Sequence, residues 1–156
     1  MEALDWFAAT PVAAALKGSA RLYLVVNAAH VLAIGLVVGA IVPLDLRLAG
    51  VIRSAPIAAV GPLLSCTAAA GVVLAVLTGL CLFSVRPQEY AQNPAFLAKV
   101  SLVALGVANA LVLHRLGGWR RALATGAVTP ALRVQALLSL VLWIGAVLAG
   151  RWIAFI

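Results

Sequence analysis

The sequence predicts an all-α protein: an integral membrane four-helix up-and-down bundle with a short N-terminal interfacial helix. Three observations predict it. Of the 156 residues, 65% are hydrophobic and 10% charged, and mean hydropathy is +1.17. A soluble domain is nearer 45–50% apolar and roughly 25% charged. The apolar residues gather into four stretches, each long enough to cross a hydrocarbon core of roughly 30 Å at about 1.5 Å per residue. The basic residues stand singly at the ends of those stretches, so the formal charge of +7 reads as headgroup contact and topology, not as a nucleic-acid footprint. The length accommodates one transmembrane domain over residues 1–156 and no separate soluble domain.

Residues 1–19 (MEALDWFAATPVAAALKGS) are apolar, but they open on Glu2 and Asp5 and are split by Pro11, unlike a signal peptide. Thr10-Pro11 reads as a cap followed by proline in the first helical position, and Trp6 and Phe7 suit a segment lying at a membrane surface. The first span is expected over 21–44, closing near Pro43, with Asp45 and Arg47 as a local ion pair beyond it. The second covers about 58–84, and its Gly71, Ala75 and Gly79 form a small-residue stripe for a close helix neighbour. Arg86 to Pro94 is the most polar stretch, and Asn93-Pro94 reads as the cap of a third span over about 95–116. Arg115 to Pro130 reads as a basic, Gly-rich loop before a fourth span over about 131–154. Cys66 and Cys81 lie about four turns apart on one segment and cannot pair there.

Four spans put both termini on one side. The two loops on the other side, with the ends of the spans they join, hold Arg47, Arg53, Arg115, Arg120, Arg121 and Arg133. That excess marks the second side as cytoplasmic, which places both termini in the periplasm of a bacterial inner membrane.

The chemistry-bearing residues lie inside the spans. Asn27 and His30 sit one turn apart on the first. Lys99 and Asn109 lie on the third, and Gln135, Ser139 and Arg151 on the fourth. An ionisable side chain in a span is costly and usually faces the protein interior. Gly35 and Gly39 form a GxxxG pair on nearly the opposite face from His30, suited to a helix contact or a homo-oligomer. The only histidines are His30 and His114, but they do not suit one shared iron. His30 lies about nine residues in from the terminal side and His114 about nineteen, a separation of roughly 15 Å along the normal. His114, beside Arg115, reads as a headgroup-level residue. Lys99 and Arg151 instead approach from the half that holds His30. A haem b ligated by His30 directs its propionates toward that interface, where these cations can pair with them. The competing readings are snorkelling for Lys99 and Arg151 and, for His30, a neutral imidazole bonded to Asn27, Asn109 or a backbone carbonyl.

The order VNAAH…G…LDLRL, TG…LF, NPAF..K with Asn109 ten residues on, SL.LW and GR.IA resembles small, uncharacterised four-helix bacterial membrane proteins from about Leu22 onward. More distantly, a histidine on the first span with a lysine opening the third is similar to the copper-resistance D-type superfamily, which includes the haem-containing J-type protoporphyrinogen oxidases. That resemblance implies functional roles for His30 and Lys99. With no methionine beyond Met1 and no His or Cys cluster, soft copper ligands are scarce, which favours haem.

The reading is a membrane-embedded b-type haemoprotein, cytochrome b-like, for electron transfer or small-molecule redox chemistry, with a redox partner or quinone. The metal ligand is His30; Asn27, Lys99, Asn109 and Arg151 complete the cofactor site. The alternatives are a copper or small-solute transport component, with His30 and Asn27 lining the route, and a cofactor-free accessory subunit. No nucleophile–base pair, phosphate loop or zinc motif is present, which sets aside hydrolytic and kinase functions.

Overall fold

The structure is a computed structural model that describes residues 2–155; Met1, where the expected interfacial helix begins, and Ile156 lie outside the described residues. Those residues form helices and no strand. The N-terminal segment is two short helices, α1 (Glu2–Ala8) and α2 (Pro11–Gly18). Thr10 breaks the run and caps α2, accepting a bond from Ala13 N at 3.3 Å ahead of Pro11. Ser19 caps α3 (Ala20–Ala49) in the same way through Leu22 N, at 3.3 Å.

The expected end of the first span near Pro43 is corrected, because α3 continues through that proline to Ala49. An internal proline costs about 3 kcal/mol. The turn beyond it carries Leu44 and Leu48, which enter a core with Ile57, Leu113, Trp119 and Leu132. Two leucines buried at roughly 1.5–3 kcal/mol each offset the loss. The helix ends instead at Gly50, whose φ of 87° is the left-handed conformation that favours glycine.

α4 (Ile57–Phe83) follows, then a short α5 (Pro87–Gln92), α6 (Pro94–Arg115), α7 (Gly117–Thr125) and α8 (Pro130–Trp152), with a closing 3-10 turn over Ile153–Phe155. Asn93 caps α6 through Phe96 N at 3.1 Å, and Thr129 caps α8 through Leu132 N at 3.3 Å. Neither α5 nor α7 was expected; both lie in stretches read as loops. α7 buries Trp119 and Ala122 while exposing Arg120 and Arg121, an amphipathic turn laid across the ends of α4, α6 and α8.

Four helices, α3, α4, α6 and α8, are long and apolar enough to cross a membrane. α3 and α8 pack on each other, with α4 against α3 and α6 against α8. The α3–α4 pair is set by Gly71: a β-carbon there would lie 2.9 Å from Val37 N and 2.9 Å from its Cγ2. Gly79 faces His30 one stretch further along, so the small-residue stripe seats α3 and the pair runs antiparallel. Three glycines do the same between α6 and α8. Gly106 receives the Trp143 ring, Gly145 receives Leu102 and Gly150 receives Lys99. Where α4 and α6 begin and end near the termini, Phe83 stacks on Phe96 at 5.5 Å, and Phe7 and Tyr90 close the group. Burial there pushes the Tyr90 phenol above its ordinary value.

The outward faces are apolar: Leu32, Leu63 and Val141 are about 70% exposed (71%, 67% and 68%). Gly35 and Gly39 lie on one such face, with nothing within 4 Å of where their β-carbons would be. They seat no helix within the protomer. Gly71→Leu should therefore destabilise the fold by roughly 1–3 kcal/mol or more through overpacking against the Val37 backbone, whereas Gly35→Leu should leave the protomer's stability nearly unchanged. Thermal unfolding of the two variants in detergent checks this, and equal losses would contradict it.

Candidate functional site

His30 lies half-buried on the face of α3 turned to α4. The sequence reading offered Asn27, Asn109 or a backbone carbonyl as its partner; the structure gives it Thr78, with Nδ1 2.9 Å from Thr78 Oγ1. The proton can be assigned from valence. Thr78 has one hydroxyl hydrogen, and it is directed at the Leu74 carbonyl at 2.6 Å. Its oxygen therefore accepts from His30, so the neutral ring carries its proton on Nδ1. Nε2 is left with its lone pair and no hydrogen-bond partner among the described residues. Gly79 makes this placement possible, because its β-carbon position is 3.2 Å from His30 Cε1 and any side chain there would push the ring away from α4.

Lys99 reaches the same half of the protein. Its stem crosses Gly150, with Cδ, Cε and Nζ at 3.3, 3.4 and 3.6 Å from that residue's β-carbon position, and its ammonium lies within electrostatic range of the His30 ring. No carboxylate pairs with it, since the ion pair found among the described residues is Arg86–Glu89 at 3.2 Å.

The other candidates do not join this pair. Asn27 is exposed despite being one turn from His30. Arg151 is exposed and sets its guanidinium over the Phe155 ring at 5.0 Å. Asn109 donates to the Gln135 carbonyl at 3.1 Å, about three turns along α6 from Lys99. His114 is exposed, with Nδ1 2.7 Å from the Ala110 carbonyl and its ring 5.0 Å from Trp119. It stands at the α7 end of α6, while Lys99 and His30 lie toward the other end.

Asp45 also requires correction. It forms no pair with Arg47, whose guanidinium is bonded to the Ala55 carbonyl. Because α3 continues past Pro43, Asp45 stays on the helix, on its core face, and is 3% exposed. Thr78 and buried Asp45 are the two residues that sequence reasoning missed. Thr78 stood in the TG…LF motif without a role, and the signal for Asp45 was its helical spacing from Ile41 and Leu48.

No family model matches the chain, and neither a curated protein nor a solved structure matches it. The likeness to the copper-resistance D-type superfamily thus rests on the quoted residues alone.

The tautomer is directly measurable. Nitrogen-15 NMR of histidine-labelled protein in detergent should report His30 as protonated at Nδ1 and bare at Nε2. Thr78→Val removes the acceptor and should return the ring to a mixture of tautomers. An Nε2-protonated ring in the wild type would contradict the assignment.

Proposed function

We propose that this chain is a membrane-embedded b-type haemoprotein of the up-and-down four-helix class, with His30 Nε2 as the iron ligand. The observation that carries the reading is the oriented imidazole: Nδ1–H fixed by Thr78, Nε2 bare. Metal-ligating histidines are commonly held this way, by an acceptor on the far nitrogen that fixes both tautomer and ring angle. The donor set distinguishes among metals. A bare copper or zinc ion needs three or four protein ligands, and no three His, Cys, Asp or Glu side chains come together among the described residues. Haem brings four nitrogens of its own, so one imidazole suffices. When bound, it supplies one-electron redox chemistry. Lys99, unpaired and within range of His30, is the cation suited to a propionate, while Arg151 is already engaged with Phe155. The four long apolar helices and the apolar outward faces support a multi-pass membrane location. A redox partner or quinone is the corresponding exchange partner. The open Gly35/Gly39 face supports a homo-oligomer.

Absorption spectra of detergent-purified protein test the reading. The wild type, expressed with ample haem, should show a Soret band that changes with dithionite. His30→Ala should abolish it, Thr78→Val and Lys99→Ala should weaken haem retention roughly 10-fold or more, and His114→Ala should leave it intact. Wild-type protein without haem would overturn the proposal.

Gly39→Leu should convert an oligomer in mild detergent into monomer without loss of helix, as read by light scattering and circular dichroism. A wild-type monomer would remove the oligomer from the proposal.

A further inference from the structure

A second polar layer lies far from His30, where the proposed haem chemistry makes no use of it. Asp45 and His30 are 15 residues apart on α3, roughly 22 Å along its axis. Asp45 is 3% exposed, and Ser139 on α8, 6% exposed, faces its carboxylate. Asp45 Oδ2 is buried with no hydrogen-bond partner among the described residues. Two further buried oxygens share that condition: Ser65 Oγ on α4 and Gln135 Oε1 on α8, one turn from Ser139 on the same face. The contact of Gly71 with Val37 fixes the level of Ser65. Asp45 lies eight residues beyond Val37 and Ser65 six residues before Gly71, so in an antiparallel pair both stand roughly 9–12 Å past the crossing.

No basic side chain pairs with Asp45 among the described residues, and Arg47 is turned to the Ala55 carbonyl. Trp143 Nε1, a buried donor without a partner, lies against Gly106 of α6, 3.2 Å from that residue's β-carbon position. Burying a charged carboxylate is costly unless a donor or a positive species meets it, and the Ser65 hydroxyl, which could donate, makes no hydrogen bond to it. A proton on Asp45 would remove its charge and still leave at least one of Ser65 Oγ and Gln135 Oε1 without a partner. An ion with several oxygen ligands accounts for all of them. One carboxylate with neutral hydroxyl and amide oxygens balances a single positive charge; oxygen-only donors are the hard set that alkali and alkaline-earth ions prefer, and one carboxylate falls short of a divalent ion's charge.

We propose that Asp45, Ser139, Gln135 and Ser65 form a buried binding site for a small alkali-metal cation between α3, α4 and α8. The site is independent of the haem reading and uses none of its residues.

The test is thermal unfolding of detergent-purified full-length protein in sodium, lithium or choline chloride at equal ionic strength and fixed alkaline pH. A ligand bound only by the native state raises Tm with its concentration. Wild type should gain Tm in sodium or lithium relative to choline. Asp45→Asn should lose the gain, and Ser139→Ala and Gln135→Leu should need roughly 10-fold or more salt to reach it. If Asp45→Asn does not fold, the second measurement is modification of wild-type Asp45 by dicyclohexylcarbodiimide, located by peptide mapping. Protection by sodium but not by choline supports the site, and labelling indifferent to sodium overturns it. Equal Tm in all three salts, or an undiminished gain in Asp45→Asn, also overturns it. Because neither readout involves haem, a haem-free wild type with a sodium-dependent Tm would defeat the haemoprotein and leave the cation site standing.

Discussion

The approach of α4 to the backbone of α3 at Gly71 governs what the rest of the chain can do. With 2.9 Å between a would-be β-carbon and Val37 N, no side chain larger than hydrogen fits. The contact therefore acts as a register lock as well as a packing contact. Antiparallel helices locked at one point have every other level assigned by the rise per residue. In one direction the lock brings His30 to Thr78 and Gly79. In the other it brings Asp45 to the level of Ser65. A slip by one turn would place His30 beside Ala75 or Leu82, neither of which has a side-chain oxygen to accept its N–H.

Packing of this kind suits surroundings that are themselves apolar. When the solvent is as greasy as leucine, helices gain little from burying leucine, and shape, small residues and hydrogen bonds determine the partners. The contacts follow that rule. Gly71, Gly79, Gly106, Gly145 and Gly150 each receive a side chain or backbone from the facing helix, while many large aliphatic residues point outward. The ends differ, with denser apolar cores and aromatic closure. Leu48, Ile57, Trp119 and Leu132 gather beneath α7, and Phe7, Phe83, Tyr90 and Phe96 at the opposite end.

The four long helices were legible because hydropathy over twenty residues is a strong signal, and the caps at Thr10 and Asn93 because a polar residue before proline has few other uses. Pro43 misled for a physical reason: a proline marks a helix end only when nothing beyond it is worth burying, and Leu44 and Leu48 are. That single error moved Asp45 from core to interface. The short helices α5 and α7 were hidden because polar and Gly-rich composition mimics a loop. His30 was recognisable as an ionisable group inside a long apolar stretch, yet its partner was not. Thr78 became visible only once the α3–α4 register was known, since sequence spacing constrains neighbours on one helix and says little about the helix across from it. Asn27 and Arg151 failed to converge for the same reason. Helical periodicity gives their angle on their own helices but not which face a neighbour will occupy.

The two polar layers differ in how the protein has prepared them. His30 has Nδ1 satisfied by Thr78 and Nε2 bare, so the ring offers one oriented lone pair. Asp45 is buried facing Ser139, with its Oδ2 left without a partner among the described residues. Both layers use α3 for the ionisable residue, and each draws a hydroxyl from a different neighbour, Thr78 on α4 and Ser139 on α8. α3 is the helix that touches both of those neighbours. The same position in the bundle that gives it the close backbone contact at Gly71 therefore sets an ionisable residue of α3 against a hydroxyl-bearing neighbour at each end.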